Sequence, residues 1–199
     1  MIKKLLFAIS FAVSLFAGQQ NIDKSFELTS IDGKKIHVHV RNNGIDVKEY
    51  PNKVIILDFF GKNCPPCKAE MPILGKIQQR QKDKLQILGL HVQRPLSKSD
   101  IEELKKRGVN YPVFDYLQTE QNRLFVDYMG QLTGWGGSIP FMLFFDKKGD
   151  YAGYYLGMAE EKSLEKFIEK LYDQKQEPKP SKKSEKPKTP SKESNTTKK

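Results

Sequence analysis

The chain has 199 residues, 38% of them hydrophobic with 12 Phe and 8 Tyr, enough for one domain with a real core and no need of a disulfide scaffold. Its formal net charge of +10 is unevenly spread: residues 176–199 carry eight Lys and three Glu, Lys3 and Lys4 add two more positive charges, and +3 is left for residues 19–175. The part able to fold is not strongly basic, so the composition does not point to nucleic acid.

The first 18 residues, "MIKKLLFAISFAVSLFAG", show two lysines, an apolar run from Leu5 to Ala17 and small residues after it, the pattern of a secretory leader cleaved near Ala17 or Gly18. The run is shorter than the ~20 residues a bilayer span needs, which makes an uncleaved leader serving as a membrane anchor the weaker reading. No cysteine follows it, which excludes a lipidated N-terminus. Export matters because disulfides persist outside the cytosol.

"SFELTSIDGKKIHVHV" predicts two short strands about an Asp32-Gly33 turn, with Ile36, Val38 and Val40 on one face of the second and His37 and His39 on the other. Two histidines so spaced can share a metal, but a polar solvent face is the simpler account, since no carboxylate or cysteine stands in ligand spacing. "KVIILDFF" is apolar enough for a central strand covered on both faces, and Asp58 inside it is costly unless its surroundings use it.

Residues 67 to about 82 look helical, with Pro72 as a kink. "LQILGLHV" is a second apolar strand. "SKSDIEELKKRG" predicts a helix with Ser99 and Glu102 as a capping box and Gly108 at its end. "YPVFD" is extended, and Thr119 to Met129 reads as a helix ending at Gly130. "PFMLFFDKKGDYAGYYLG" predicts a hairpin, and the stripe Leu164, Phe167, Ile168, Leu171 and Tyr172 an amphipathic helix. Buried strands separated by helices predict a three-layer α/β domain around a mixed sheet. The tail from Gln176 to Lys199 lacks large apolar residues and reads as disordered; it is either a solubilising extension or a contact for an anionic surface.

Both cysteines lie in "NCPPCKAEMP". As a staple the pair is poorly placed, because closing a four-residue loop stabilises by about 2 kcal/mol against about 4.7 for a 100-residue one. A structural zinc needs four ligands, and His37, His39 and His91 are not in paired spacing with the cysteines. A working dithiol fits better. A cysteine at a helix start sits at its positive end, where the thiolate is stabilised; Cys64 is then the nucleophile and Cys67, one turn in, resolves the mixed disulfide. Lys62 either adds to that positive field or is plain surface. Pro65 and Pro66 restrict the loop and remove two amide donors.

"VIILDFFGKNCPPCKAEMPIL" and "GSIPFMLFFDKKGDYAGYYLG" resemble the two signatures of the thioredoxin superfamily, more narrowly of the exported TlpA, ResA and CcmG group, over roughly residues 25–172. The resemblance implies a thioredoxin-like fold over residues 19–175. It implies a thiol-disulfide oxidoreductase working through Cys64 and Cys67, without metal or other cofactor, in the periplasm. Asp58, beneath Cys67, would exchange its proton; Glu70 would sit by the dithiol and tune it; cis-Pro140 would face the sulfurs and align a substrate strand through the backbone of Ile139. Protein disulfides, with apocytochrome c as a client, and a membrane thiol donor are the implied partners. A periplasmic oxidant or isomerase is the alternative chemistry, and a holdase using the same groove the alternative class. Two departures stand out: Asn63 replaces the tryptophan usual before the first cysteine, so that Trp135, the only Trp, either supplies the missing aromatic wall for substrate near Pro140 or packs in a loop, and Gly89 stands nearest to where thioredoxin has a lysine beside the buried Asp.

Overall fold

The structure is a computed structural model that describes residues 22–173; the expected leader and the basic tail lie outside the described residues. Strands β1 (Asp23–Thr29), β2 (Lys35–Arg41) and β3 (Gly44–Val47) form an antiparallel sheet. Gly33, at φ +86°, makes the β1–β2 turn. The sequence reading missed β3, whose four residues begin at Gly44 directly after the two-residue turn Asn42-Asn43. Gly44 is required there because a Cβ would stand 1.9 Å from the Gly149 carbonyl oxygen.

The chain continues as β4 (Val54–Phe60), α1 (Pro65–Arg80), β5 (Leu85–His91), α2 (Lys98–Lys106), β6 (Val113–Asp115), α3 (Glu120–Thr133), β7 (Phe141–Phe145), β8 (Tyr151–Leu156) and α4 (Glu161–Asp173). The central sheet runs β6-β5-β4-β7-β8. β4 is parallel to β5 and antiparallel to β7, so the sheet is mixed, as expected. All seven residues of β4 and of β5 are buried, as befits strands covered on both faces.

Alternation along β4 sorts the two faces. Val54, Ile56 and Phe60 pack with α1, α2 and α4 through Met71, Leu74, Ile77, Leu104, Leu164 and Ile168. Ile55, Leu57 and Phe59 pack with α3 and the three-stranded sheet through Phe125, Met129, Phe26 and Leu28. Asp58 therefore points to the α1 side. Six apolar side chains on this strand, each worth about 1.5–3 kcal/mol when buried, outweigh the ~1–3 kcal/mol of burying one unpartnered neutral polar group.

Two helix boundaries differ from the sequence reading. Ser97, not Ser99, caps α2, and Asp100, not Glu102, completes the capping box; the aspartate serves at that position because its Oδ2 reaches back to accept from the Ser97 amide (2.8 Å). α3 runs through Gly130 and ends at Gly134, which takes the left-handed conformation (φ +66°). Gly130 instead makes room for Trp135, whose Cε3 would lie 3.3 Å from a Cβ there. The C-terminal end of α2 is as read, with Gly108 at φ +86°.

Helix α1 is pressed against the α2–β6 connection. A Cβ on Gly75 would stand 2.0 Å from the Gly108 carbonyl oxygen, and Asn110 Nδ2 donates to the Gly75 carbonyl (3.0 Å). Gly75→Ala is predicted to destabilise the domain by about 1–3 kcal/mol, read as a lowered urea midpoint at unchanged slope; an unchanged midpoint would show that this contact yields freely.

Candidate redox site

Strand β4 ends at Phe60, the turn Gly61–Asn63 follows, and Cys64 is the N-cap of α1. The two prolines occupy the first two helical positions, where a missing N–H costs nothing. Of the amides that a helix start leaves without intrahelical partners, the one at Cys67 donates to Cys64 Sγ (3.2 Å). Lys68 already bonds back to the Cys64 carbonyl (3.0 Å). The positive end of the helix is thereby focused on one sulfur.

Cys64 and Cys67 form a disulfide, their Cα atoms 5.2 Å apart. Cys67 is the more buried, 2% exposed against 6%. Ile139-Pro140 is cis, Pro140 immediately precedes β7, and the Ile139 carbonyl oxygen lies 3.9 Å from Cys64 Sγ. The two signatures thus meet across 75 residues of sequence.

Two carboxyl groups are buried on the α1 side of β4. Asp58 is 2% exposed, and its Oδ1 has no hydrogen-bond partner; burial first, and the nearby Glu70 second, push its pKa well above the usual carboxylate range. Glu70, on α1, is buried as well, 1% exposed. Its Oε1 accepts from the Ala159 amide (2.8 Å), in the connection between β8 and α4, and burial raises its pKa to about 7 even though that amide pulls the other way. Tyr111, also buried, shares the pocket: burial, then Asp58 and Glu70, drive its hydroxyl pKa up. Opposite Asp58 in the register stand Gly89 on β5 and Met142 on β7. A Cβ at Gly89 would already stand 3.2 Å from Phe60 and Tyr111, so no lysine can take that place without displacing them.

Trp135 packs 4.7 Å from the Phe59 ring and stacks on Phe141, on the face away from α1. Its Nε1 donates to the Ser138 carbonyl (2.7 Å). These contacts brace the loop that carries Ile139 and Pro140. Lys62 is tied down: its Nζ bonds Asp100 (2.7 Å) and the Pro95 carbonyl (2.9 Å). His37 pairs with Glu49 and Glu27, and His39 with Ser25 and Asp23; among the described residues no group of three or more His, Cys, Asp or Glu could hold a metal. Tyr111 and Ala159 are the site neighbours that sequence reasoning missed. The first was legible only as part of an extended "YPVFD", and a backbone amide has no side-chain signal at all.

Residues 24–170 match the model of the AhpC/TSA family. The chain belongs to the AhpC/TSA family. Within it the chain is 32% identical over 60 residues to the thiol-disulfide oxidoreductase ResA of Bacillus thuringiensis subsp. konkukian, a match covering 30% of either chain and so under a third of that relative's length. It is 24% identical over 145 residues, 71% of either chain, to ResA of Bacillus anthracis. In fold this AhpC/TSA member is similar to a thiol:disulfide interchange protein of the thioredoxin family from Chlorobium tepidum TLS, with a TM-score of 0.58, 22% identity, and 74% of this chain and 93% of that one covered. The fold is thioredoxin-like, as the two signatures implied.

A carboxyl whose pKa is raised on folding favours its neutral form in the native state, so its contribution to stability is complete below the unfolded pKa of 4.5 and lost as pH rises through about 7. The disulfide form is predicted to lose stability between pH 4.5 and 8, on the order of 3 kcal/mol of it through Glu70. Glu70→Gln is expected to flatten that loss in denaturant titrations at the two ends of the range. A variant that kept the full slope would place the titration elsewhere.

Proposed function

We propose that this protein is an exported thiol-disulfide oxidoreductase that reduces disulfides in other proteins. The observation that carries this reading is the Cys64–Cys67 disulfide at the head of α1, with one sulfur under the Cys67 amide and beside the Ile139 carbonyl, and with Asp58 and Glu70 buried on the same side of β4 as α1. The names of the ResA relatives support the same chemistry.

In the reduced protein the Cys64 thiolate attacks one sulfur of a substrate disulfide. A mixed disulfide forms and the first substrate thiolate leaves. Cys67 then gives its proton to Asp58 and attacks Cys64 Sγ; the second substrate thiolate departs, and the Cys64–Cys67 disulfide is made. Two electrons have passed to the substrate, and the departing thiolates take up protons. Asp58 suits its part because burial raises its pKa, so its ionised form is a stronger base toward the Cys67 thiol than an exposed carboxylate would be. Glu70 shifts that balance, since its charge acts on Asp58 through a dry pocket. Ile139 and Pro140, with Trp135 behind them, form the wall along which an extended substrate segment lies.

The leader-like N-terminus supports a periplasmic setting, and among the described residues no helix is long and apolar enough to cross a membrane. Apocytochrome c, whose haem-attachment cysteines must be reduced, is the proposed client, and a membrane thiol donor returns Cys64 and Cys67 to the dithiol state. The basic tail is proposed to rest against an anionic envelope surface.

Cys67→Ser is predicted to trap a mixed disulfide through Cys64, visible as a reducible adduct by mass spectrometry. Asp58→Asn should slow turnover of a disulfide-bonded peptide by about 10²-fold at pH 7. The double variant Cys64→Ser/Cys67→Ser should reduce nothing; if it instead kept the protein's cellular role, a holdase using the groove at Ile139 would replace the enzyme.

A further inference from the structure

Two backbone amides precede Cys64 in the turn after β4, and both are held by side chains of one neighbouring segment. The Lys62 amide donates to His91 Nε2 (3.3 Å), and the Asn63 amide to Gln93 Oε1 (2.9 Å). Gly61 lets this happen: a Cβ there would lie 2.3 Å from Gln93 Cδ. His91 is the last residue of β5, fully buried, with its ring against Phe60 at 5.4 Å.

A backbone N–H only donates, so His91 Nε2 must offer a lone pair. A neutral imidazole then carries its proton on Nδ1. Nδ1 faces Asp115 Oδ1 at 3.3 Å, and Asp115 is itself fixed by the Leu96 amide on Oδ2 (2.7 Å). Burial favours the neutral ring, against the pull of Asp115.

We propose that Asp115 and His91 form a positioning pair for the redox turn: Asp115 selects the Nδ1–H tautomer, and the free Nε2 lone pair holds the Lys62 amide so that Cys64 is presented to Cys67 in the disulfide-closing geometry. The inference rests on the reading of Cys64 and Cys67 as a working dithiol. How firmly an intramolecular disulfide forms depends on the effective concentration of one thiol at the other. A restraint that is present in the disulfide form raises that concentration, and loosening it makes the disulfide easier to reduce.

The test equilibrates the full chain with glutathione buffers as wild type, His91→Asn, His91→Gln and Asp115→Asn. Asparagine reaches the Nδ1 position but not the Nε2 one, whereas glutamine puts an acceptor near Nε2. Asp115→Asn removes the charge that selects the tautomer. His91→Asn and Asp115→Asn are expected to lower the equilibrium constant about tenfold, a shift of about 30 mV toward easier reduction, with His91→Gln within about twofold of wild type.

If the two disruptive variants keep the wild-type constant while melting earlier, or if the Asn and Gln variants shift alike, the pair is an ordinary core contact and the proposal fails. A nitrogen NMR spectrum of the wild-type ring gives a second answer independent of variant folding: Nε2 unprotonated and Nδ1 protonated is expected, and the reverse overturns the proposal. A wild type that never equilibrates with glutathione would sink the dithiol reading instead, and the ring spectrum would still decide the tautomer.

Discussion

The functional end of this domain depends on one junction, where a wholly buried strand stops and a helix begins on a cysteine. Pro65 and Pro66 leave the Cys67 amide as the donor for Cys64 Sγ. The stabilisation a helix N-terminus offers to negative charge is delivered through a single hydrogen bond rather than spread over several. The same two prolines fix the backbone φ of the first helical turn, between the two cysteines that the disulfide joins.

The rest of the architecture serves that junction from two sides. On the α1 face the core is apolar enough to keep Asp58, Glu70 and Tyr111 away from water, and this raises all three pKa values together. Two ionised carboxylates in that pocket would cost several kcal/mol each, and the charge of Glu70 adds to burial in raising the pKa of Asp58. On the other face, Phe59, Trp135 and Phe141 pack together and steady the loop of Ile139 and Pro140. The absence of a side chain at Gly89 completes the arrangement: it admits Tyr111 where a lysine would have supplied a charge.

Much of this is legible in the sequence because it is carried by short-range patterns. The uniform apolarity of "VIILDFF" marks a central strand, the single Asp inside it marks a paid-for exception, and CPPC followed by Glu70 and Pro72 marks the helix start. What escaped was set by contacts distant in the chain. Helix α3 outruns Gly130 because that glycine is needed by Trp135, not by a helix end. Strand β3 is too short for a period to show. The bond from Ala159 to Glu70 spans 89 residues, and nothing near Glu70 in the sequence separates a buried carboxyl from an exposed one. His91 could be weighed as a metal ligand, but its hold on the Lys62 amide depends on the parallel register of β4 and β5.

The measurement that tests the central claim most directly is the reduction potential of the Cys64–Cys67 couple in the wild-type protein. A dithiol that donates electrons to protein disulfides is predicted to lie at or below about −270 mV, the reducing end of the known range. A value near about −120 mV would make the protein an oxidant and contradict the account.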